Sequence, residues 1–265
     1  MTEKAKPVGR EYTLDGKVAL VTGASRGIGR AIAARLARDG AMVVVHYHAN
    51  EQEAGISVDQ IKRLGSDGFA IAADLRTLNG IKKLFAVMDS ELMRRNGSAG
   101  IDILVNNAGI APRANLEDTG AELFDEIFSL NVKAPFLIIQ QVLKRIRENG
   151  RIINLSSCLT RFPYPDAFAY SMSKGAIDVL SLALAKQLGP RGITVNALAP
   201  GVIDTDMNAD MLSTVEGREF AASLSVFNRV GTTEDVADIA SFLASPASRW
   251  VTGQYLDAAG GTLLR

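Results

Sequence analysis

The stretch KVALVTGASRGIGRAIA, residues 17–33, places three glycines between a short apolar run and a helical pattern. Gly23, Gly27 and Gly29 follow the spacing G-x-x-x-G-x-G at the point where a buried strand passes into a helix. In such a turn, backbone N–H groups and the helix dipole face an anionic group such as a diphosphate. The stretch therefore predicts a strand, a turn and a helix whose amino terminus can bind a diphosphate.

Apolar runs and helical patterns alternate from this stretch to the end of the chain, which predicts a parallel sheet with helices on both faces. The predicted strands are Lys17–Thr22, Met42–Tyr47, Phe69–Ala72, Ile103–Asn106, Arg151–Leu155, Thr194–Leu198 and Gln254–Asp257. Helices are predicted near Gly29–Asp39, Glu51–Leu64, Leu78–Arg94, Ala121–Arg147, Phe168–Leu188 and Thr233–Leu243. No internal repeat or Pro/Gly/Ser linker marks a boundary. We therefore expect one α/β domain over residues 14–265, a doubly wound Rossmann fold with a seven-stranded parallel sheet.

The composition favours a small molecule as the bound partner. Lys plus Arg and Asp plus Glu number 29 each, so the net charge at pH 7 is zero and no bulk field attracts nucleic acid or an anionic membrane. The single cysteine, Cys158, excludes an intramolecular disulfide and a cysteine-based metal site. The two histidines, His46 and His48, lie at the predicted second strand and match neither a metal cluster nor a catalytic triad. We expect no metal ion in the reaction.

The amino-terminal sequence carries no targeting signal. Residues 1–13 contain Lys and Glu but no apolar core followed by a small-residue cleavage site, so no signal peptide is predicted. No uninterrupted apolar stretch reaches the length of a membrane span. We expect a flexible tail over residues 1–13 and a cytoplasmic protein.

Tyr170 and Lys174 lie four residues apart in the predicted helix 168–188, so their side chains are neighbours on one helix face. A tyrosine titrates near about 10, but a fixed cation favours the phenolate and lowers the pKa toward the working range. The pair therefore predicts a tuned acid. On its own, the Y-x-x-x-K pattern also fits a surface helix with a packed Tyr and a solvated Lys.

Further motifs accompany this pair in a fixed order along the chain. They are Thr22-Gly23-Ala24-Ser25-Arg26-Gly27-Ile28-Gly29, Asn106-Asn107-Ala108-Gly109, Asn131, Ser157 and Pro200-Gly201-Val202-Ile203-Asp204-Thr205. In this order and spacing the set resembles the short-chain dehydrogenase/reductase family. The likeness runs from about Lys17 to Gly261.

The resemblance implies four catalytic residues. Tyr170 would donate a proton to the oxygen of a ketone that is reduced by hydride transfer, and Ser157 would bind the same oxygen. Lys174 would hold the nicotinamide ribose and lower the pKa of Tyr170. Asn131 would anchor a water that passes protons in from solvent. Ser156 is the alternative to Ser157, but the distance of thirteen residues to Tyr170 favours Ser157.

The resemblance also implies a cofactor site. The predicted cofactor contacts are Gly23, Ser25, Arg26, Gly27, Ile28, Gly29, Tyr47, His48, Asp74, Leu75, Asn107, Ala108, Gly109, Tyr170, Lys174, Pro200, Gly201, Ile203 and Thr205. In the family, the position of Asp74 binds the adenine amine. The loop that begins at Pro200 holds the nicotinamide carboxamide.

The end of the second strand decides between NAD and NADP, because an acidic side chain there binds a ribose diol and repels a 2′-phosphate. That position is Tyr47, and no carboxylate follows until Glu51. Arg26 in the glycine loop offers a guanidinium suited to phosphate, and His48 is a further candidate contact. We predict NADP(H) in preference to NAD(H).

The substrate pocket is expected between residues 110–113, residues 159–165 and a lid over residues 207–228 that includes Met207, Met211 and Phe227. The apolar and aromatic lining favours an acyl chain or a ring or polyketide-like ketone over a phosphorylated sugar. The chain most resembles the 3-oxoacyl-thioester reductases and the naphthol or polyketide ketoreductases of the family. We therefore predict NADPH-dependent reduction of such a ketone to a secondary alcohol. Arg113 and Arg161 are candidate contacts for a carrier-bound substrate.

Two other functions are weighed against this one. The first is NAD(P)-dependent oxidation of a sugar, polyol or steroid alcohol. The second is a non-catalytic dinucleotide sensor, but members of that kind usually lack the tyrosine or the lysine. Family members commonly form tetramers through the helices that carry Asn131 and Tyr170, and the apolar stretches Phe136–Ile139 and Ile177–Leu184 suit such a contact. We expect a homotetramer.

Overall fold

Seven parallel strands form the sheet at the centre of the computed structural model, which describes residues 13–264. The strands are β1 Val18–Val21, β2 Met42–Tyr47, β3 Gly68–Ala72, β4 Ile101–Asn106, β5 Ile146–Leu155, β6 Thr194–Pro200 and β7 Tyr255–Ala258. They lie in the order β3-β2-β1-β4-β5-β6-β7, and every neighbouring pair is parallel. The predicted parallel seven-stranded sheet is confirmed. The expected tail, residues 1–13, lies outside the described residues except for Thr13.

The structure has nine α-helices within residues 13–264, and six of them pack on the two faces of this sheet. They are α1 Gly27–Arg38, α2 Glu51–Arg63, α3 Leu78–Asn96, α4 Ala121–Phe128, α5 Ala134–Val142, α6 Phe168–Leu188, α7 Ala209–Leu212, α8 Val215–Ser223 and α9 Thr233–Ala244. The first face packs against α1, α2 and α9, and the second packs against α3, α5 and α6.

Successive side chains of each strand point to opposite faces of the sheet and so contribute to two separate cores. In β1, Ala19 and Val21 point into the α1 core, whereas Val18 and Leu20 point into the α3 core. A strand that is buried on both faces reads as a continuous apolar run, as β1 does. The doubly wound α/β class predicted from the sequence is therefore confirmed.

The strand order reverses between β1 and β4, and this reversal positions the site. From β1 the chain builds outward to β2 and β3, then returns to place β4 on the other side of β1. The loops that follow β1 and β4 consequently diverge and leave a crevice at the carboxyl edge of the sheet. The glycine turn follows β1 directly.

The predicted helix Ala121–Arg147 is wrong as a single element. It divides into α4, a π-helical turn at Ser129–Lys133, and α5, which ends at Val142. Arg145 turns away to make two 2.7 Å hydrogen bonds with Asp89. This turn lets Ile146 pair with Ile101 and be buried, so β5 begins five residues before its predicted start.

None of the helices within residues 13–264 combines the length and the apolar character that crossing a bilayer requires.

Candidate active site

The glycine turn after β1 fits closely against its neighbours. Gly23 has a φ of +64°, and a Cβ there would lie 2.9 Å from the Cα of Ala108. A Cβ on Gly29 would collide with the carbonyl oxygen of Gly23. Gly27 has a φ of +54° and faces Thr205 across the crevice. Side chains at these positions would disrupt the turn, and their absence leaves backbone N–H groups accessible at the amino terminus of α1.

The loop after β4 holds this turn in place. The amide of Asn107 donates to the carbonyls of Thr22 at 2.9 Å and Gly23 at 3.0 Å. The hydroxyl of Thr22 accepts from the backbone N–H groups of Asn107 and Ala108, each at 3.0 Å. The loop after β4 is thereby fixed to the turn after β1.

His46 joins β2 to the same turn, a role that no sequence pattern predicts. Its Nδ1 accepts from the backbone N–H of Gly23 at 3.1 Å, and its Nε2 lies 3.0 Å from the carbonyl of Ala73. Burial lowers the pKa of His46 to about 4, so the ring is neutral at pH 7. A neutral ring with the proton on Nε2 satisfies both contacts.

Tyr47 does not contact the crevice, so this predicted cofactor contact is wrong. Its side chain is 9% exposed and packs in the α1 core with Val43 and Val45. Because side chains alternate along a strand, His46 and His48 face the crevice instead. The prediction identified the correct end of β2 but the wrong face of the strand.

A cluster of charges borders the crevice beside His48. The Asp74 carboxylate accepts from Arg76 Nε at 2.9 Å and Nη2 at 3.1 Å, and these bonds hold the pKa of Asp74 below its usual value. Arg76 also reaches Glu126 at 3.2 Å and lies 3.5 Å from the ring of His48. Arg76 is not among the predicted site residues, although a basic residue two positions after Asp74 is a usable signal.

Arg26 lies at the mouth of the crevice as the residue that caps α1. Its guanidinium is mostly exposed and forms a 3.0 Å ion pair with Asp206, which lies in the loop after β6. The pair therefore bridges the two sides of the crevice.

Leu75, another predicted contact, is buried in the α3 core but also lines the crevice wall.

Two connected cavities make up the crevice. The first, of about 540 Å³, is lined by the glycine turn, His46, His48, Asp74 and Arg76. The second, of about 370 Å³, contains Tyr170 and Lys174. The residues that line both are Ile28, Asn107, Gly109, Ala111, Thr205 and Met207. Such an elongated crevice, with close-fitting glycines at one end, fits a dinucleotide.

Ser157, Tyr170 and Lys174 meet in the second cavity. Ser157 lies two residues after the end of β5, has an extended backbone conformation and is 6% exposed. Tyr170 and Lys174 lie one turn apart in α6, with the Lys174 Nζ 5.7 Å from the centroid of the Tyr170 ring. That nitrogen donates a 2.7 Å hydrogen bond to the carbonyl of Leu155. The structure therefore brings three of the four predicted catalytic side chains to one wall.

Burial moves the pKa values of the two α6 side chains in opposite directions. It raises the pKa of Tyr170 to about 12, an effect that a hydrogen bond with Ser157 partly offsets. It lowers the pKa of Lys174 to about 8. Desolvation of the buried phenolate is the largest cause of the raised pKa of Tyr170, and the role of Lys174 in lowering that pKa stays a prediction.

Asn131, the fourth predicted catalytic residue, is buried in the π-helical turn between α4 and α5. Its amide donates to the Ile110 carbonyl at 2.9 Å and to the Ser173 hydroxyl at 3.1 Å, and its oxygen accepts from the Ile110 N–H at 3.0 Å. A Cβ on Gly109 would lie 3.0 Å from Asn131 Oδ1 and 3.7 Å from Lys174 Nζ. Asn131 thus lies behind the wall that carries Lys174.

The loop after β6 closes the crevice opposite α6. Pro200, Gly201, Ile203 and Thr205 all line the second cavity, as predicted. A Cβ on Gly201 would lie 2.9 Å from Ala259, so the loop packs directly on the end of β7.

The outer part of the second cavity is mainly apolar. Residues that line it include Ala111, Pro112, Leu159, Tyr164, Met207, Met211, Phe220 and Leu224. Arg113 and Asp166 also line it and form a 2.7 Å ion pair at its rim. Phe227, predicted to line this pocket, instead lines a neighbouring cavity of about 350 Å³ behind α8, so that prediction is wrong. The sequence analysis did not single out Tyr164 or Phe220.

Cys158 lies beside Ser157 in this wall and keeps its proton at neutral pH. Burial raises the pKa of its thiol to about 11. No three side chains of His, Cys, Asp or Glu are grouped as metal ligands anywhere in the described part of the chain.

Comparison with known proteins agrees with this architecture. The chain matches the family model described as enoyl-(acyl carrier protein) reductase over residues 23–262. Versicolorin reductase stcU of Emericella nidulans is 41% identical over 261 residues, which cover 94% of this chain and 97% of that protein.

Solved structures of ketoreductases superpose closely on the chain. The promiscuous reductase LugOII, which catalyses keto-reduction at C1 during lugdunomycin biosynthesis, gives a TM-score of 0.92 at 48% identity, covering 95% of this chain and 99% of that one. The landomycin C-6 ketoreductase LanV with bound NADP and rabelomycin gives 0.89 at 42% identity, covering 96% and 99%. Because the family model and these relatives extend over nearly the whole sequence, the chain belongs to the short-chain dehydrogenase/reductase family.

Proposed function

We propose that this protein reduces a polycyclic aromatic ketone to a secondary alcohol, with NADPH as the reductant. One observation carries the proposal. Ser157, Tyr170 and Lys174 line an apolar cavity that continues into a crevice built for a dinucleotide. The related proteins act on ketones of this kind: LanV is a landomycin C-6 ketoreductase, and its structure holds rabelomycin.

The residues around the first cavity favour NADPH over NADH. His48, Arg76 and Arg26 all line it, and β2 ends without a carboxylate that would repel a 2′-phosphate. A guanidinium binds phosphate through paired, charge-assisted hydrogen bonds, so Arg26 and Arg76 suit this group. LanV also binds NADP. The glycine turn would hold the diphosphate, and Asp74 would accept from the adenine amine.

The nicotinamide would lie against the loop 200–205, on the side of the crevice opposite Tyr170. When bound there, NADPH supplies a hydride to the carbonyl carbon of the substrate. Ser157 and Tyr170 donate hydrogen bonds to the carbonyl oxygen, where negative charge develops. Tyr170 then transfers its proton to that oxygen. Its raised pKa keeps the phenol protonated at neutral pH, which suits a proton donor.

Lys174 would serve as a fixed cation on the same wall. Its pKa of about 8 leaves most of it charged at pH 7. A positive charge 5.7 Å from the Tyr170 ring stabilises the phenolate that forms as the proton leaves. Asn131 would hold the loop at Ile110 in place and support proton supply to Lys174 from solvent.

The outer cavity favours a free ketone over one bound to a carrier protein. Arg113 and Arg161 were the candidate contacts for a carrier. Arg113 is paired with Asp166, and Arg161 lies over the ring of Tyr255. Both cations are therefore engaged within the chain, whereas the apolar walls remain available to flat aromatic rings.

Three further features complete the proposal. Residues 207–228, which include α7 and α8, act as a lid over the substrate.

The protein is a cytoplasmic homotetramer that uses exposed apolar side chains of α5 and α6, such as Phe136, Val179 and Leu182, as subunit contacts. Such side chains on neighbouring helices suit burial in an interface. Size-exclusion chromatography with light scattering tests this assembly by its mass.

A substrate panel tests the function. Purified protein is mixed with NADPH or NADH and with a bicyclic aromatic ketone, a tricyclic quinone-type ketone or an acetoacetyl thioester. We expect turnover of the ring ketones with NADPH. Turnover only of secondary alcohols with NAD(P)⁺ would favour the alcohol dehydrogenase. Tight NADPH binding without turnover in either direction would favour the dinucleotide sensor.

A further inference from the structure

The backbone carbonyl of Ser157 accepts an unusual number of hydrogen bonds. The phenol of Tyr255 donates to it at 3.1 Å, and Thr160 donates twice, through its backbone N–H at 3.2 Å and its hydroxyl at 3.1 Å. The two Thr160 bonds belong to the short helical turn 158–160 that follows β5. The Tyr255 bond is different, because it reaches across 98 residues of sequence and ties the site to the last strand.

Tyr255 is itself held firmly. It begins β7, where it pairs with Ala197 of β6, and its side chain is partly buried. The guanidinium carbon of Arg161 lies 3.7 Å from the centroid of its ring. Stacking of a guanidinium on an aromatic face is favourable and keeps the ring in one orientation. The ring is thus fixed by the sheet at its base and by Arg161 on its face.

Tyr255 and Thr160 meet at the carbonyl of Ser157, because both side chains donate a hydrogen bond to it. This shared acceptor connects the start of β7 with the turn 158–160 behind the wall that carries Ser157.

We propose that Tyr255 is a positioning residue that sets the place of the Ser157 hydroxyl in the active site. This inference rests on the proposed function. The Ser157 side chain leaves the backbone beside the carbonyl that Tyr255 holds, so loss of this bond lets residue 157 move relative to the substrate oxygen. Misplacement of a catalytic group by about 1 Å can lower a rate about a hundredfold.

The test is a double-mutant cycle on ketone reduction. Tyr255→Phe removes one hydroxyl and leaves the ring under Arg161. We expect it to lower kcat about tenfold or more, while KM for NADPH and the affinity for NADPH stay within about twofold of wild type. In a Ser157→Ala background, where the positioned hydroxyl is absent, Tyr255→Phe should lower the remaining single-turnover rate less than about twofold.

Ser248→Ala is the matched control. Ser248 is buried, and its hydroxyl donates to the carbonyls of Leu243 at 2.8 Å and Ser245 at 3.1 Å, outside both cavities. The Ser248→Ala variant loses hydrogen bonds from a hydroxyl to backbone carbonyls, as Tyr255→Phe does, but away from the active site. It therefore measures the effect of lost stability alone, and we expect its kcat to equal that of wild type. Thermal unfolding with NADPH present checks that every variant is folded.

Two results would overturn the inference while leaving the proposed function intact. One is a Tyr255→Phe enzyme whose kcat equals that of Ser248→Ala. The other is a Tyr255→Phe substitution that lowers the rate by the same factor in the wild-type and the Ser157→Ala backgrounds, which would indicate a general structural effect. A wild-type enzyme with no turnover of any ketone would instead refute the proposed function, and this inference with it.

Discussion

The amino group of Lys174 lies 5.7 Å from the centroid of the Tyr170 ring, one helical turn away on α6. Burial disfavours the charged form of both groups. It raises the pKa of Tyr170 to about 12 and lowers the pKa of Lys174 to about 8. The phenol consequently keeps its proton through the neutral range. The ammonium loses its proton only a little above that range.

The first prediction concerns the pH dependence of reduction. In the free enzyme, Lys174 has a lowered pKa near 8 and is charged below that pH. Ketone reduction needs this charge, so kcat/KM should be constant near pH 7 and fall tenfold per pH unit well above 8. Lys174→Arg, which stays charged to much higher pH, should remove the decline even if its rate is lower. A wild-type profile that stays flat from about pH 7 to 10 would contradict this assignment.

The second prediction concerns His46 and acid stability. Folding lowers the pKa of His46 from 6.5 to about 4, so between these values the unfolded chain binds more protons than the folded one. The free energy of unfolding should therefore fall as the pH drops from about 6.5 to 4, by about 3 kcal/mol from this residue. His46→Asn lacks this titration.

Urea unfolding of both proteins at several pH values measures the difference. Titration of carboxylates affects wild type and His46→Asn alike, so only the histidine contribution remains in the comparison. Equal slopes of stability against pH would show that His46 is not buried as a neutral ring.

The third prediction concerns cofactor choice. Arg26 is mostly exposed at the mouth of the crevice, where a 2′-phosphate would gain a charge-assisted hydrogen bond. Arg26→Ala should weaken NADPH binding about ten- to hundredfold and leave NADH binding nearly unchanged. Arg218→Ala is a matched control, because Arg218 is also exposed and ion-paired, to Asp204, but does not line the crevice. Fluorescence titration gives all the dissociation constants, and equal losses for both cofactors would exclude a contact with the phosphate.

The fold was predictable because its signals are local. The bounds of β2 and α6 coincide with the predicted Met42–Tyr47 and Phe168–Leu188. Both segments are rich in apolar residues, and Gly40 precedes the first while Gly189 follows the second. The glycine turn was equally clear, since Gly23 and Gly29 occupy positions that tolerate no side chain.

The rest depended on contacts that no local pattern encodes. The sequence pattern locates the end of β2 but does not show to which face of the sheet its last side chain points. Because side chains alternate along a strand, a shift of one residue moves a side chain to the opposite face, and Tyr47 was therefore predicted to line the crevice. The break after Val142 follows from pairing of Ile146 with Ile101, which are 45 residues apart. Tyr255 bonds to the carbonyl of Ser157, which is 98 residues away in sequence and which only the folded chain brings near.

The fourth prediction concerns the lid over residues 207–228. Phe220 of α8 lines the second cavity, whereas Phe227 lines the neighbouring one. Phe220→Ala should raise KM for the ketone about tenfold, because it removes part of the apolar wall, and should leave KM for NADPH unchanged. Phe227→Ala provides the matched control and should change KM for the ketone less than about twofold. Steady-state kinetics of both variants decides whether α8 contacts the substrate; identical effects would argue against it.

The central claim is that Tyr170 donates the proton to the reduced ketone, and a comparison of wild type with Tyr170→Phe tests it most directly. Each enzyme is saturated with NADPH, mixed with a bicyclic aromatic ketone, and followed through one turnover by absorbance of NADPH. We predict that Tyr170→Phe binds NADPH as wild type does and reduces the ketone about a hundred- to ten-thousandfold more slowly. A Tyr170→Phe enzyme that reduces the ketone within a few-fold of the wild-type rate would contradict the account.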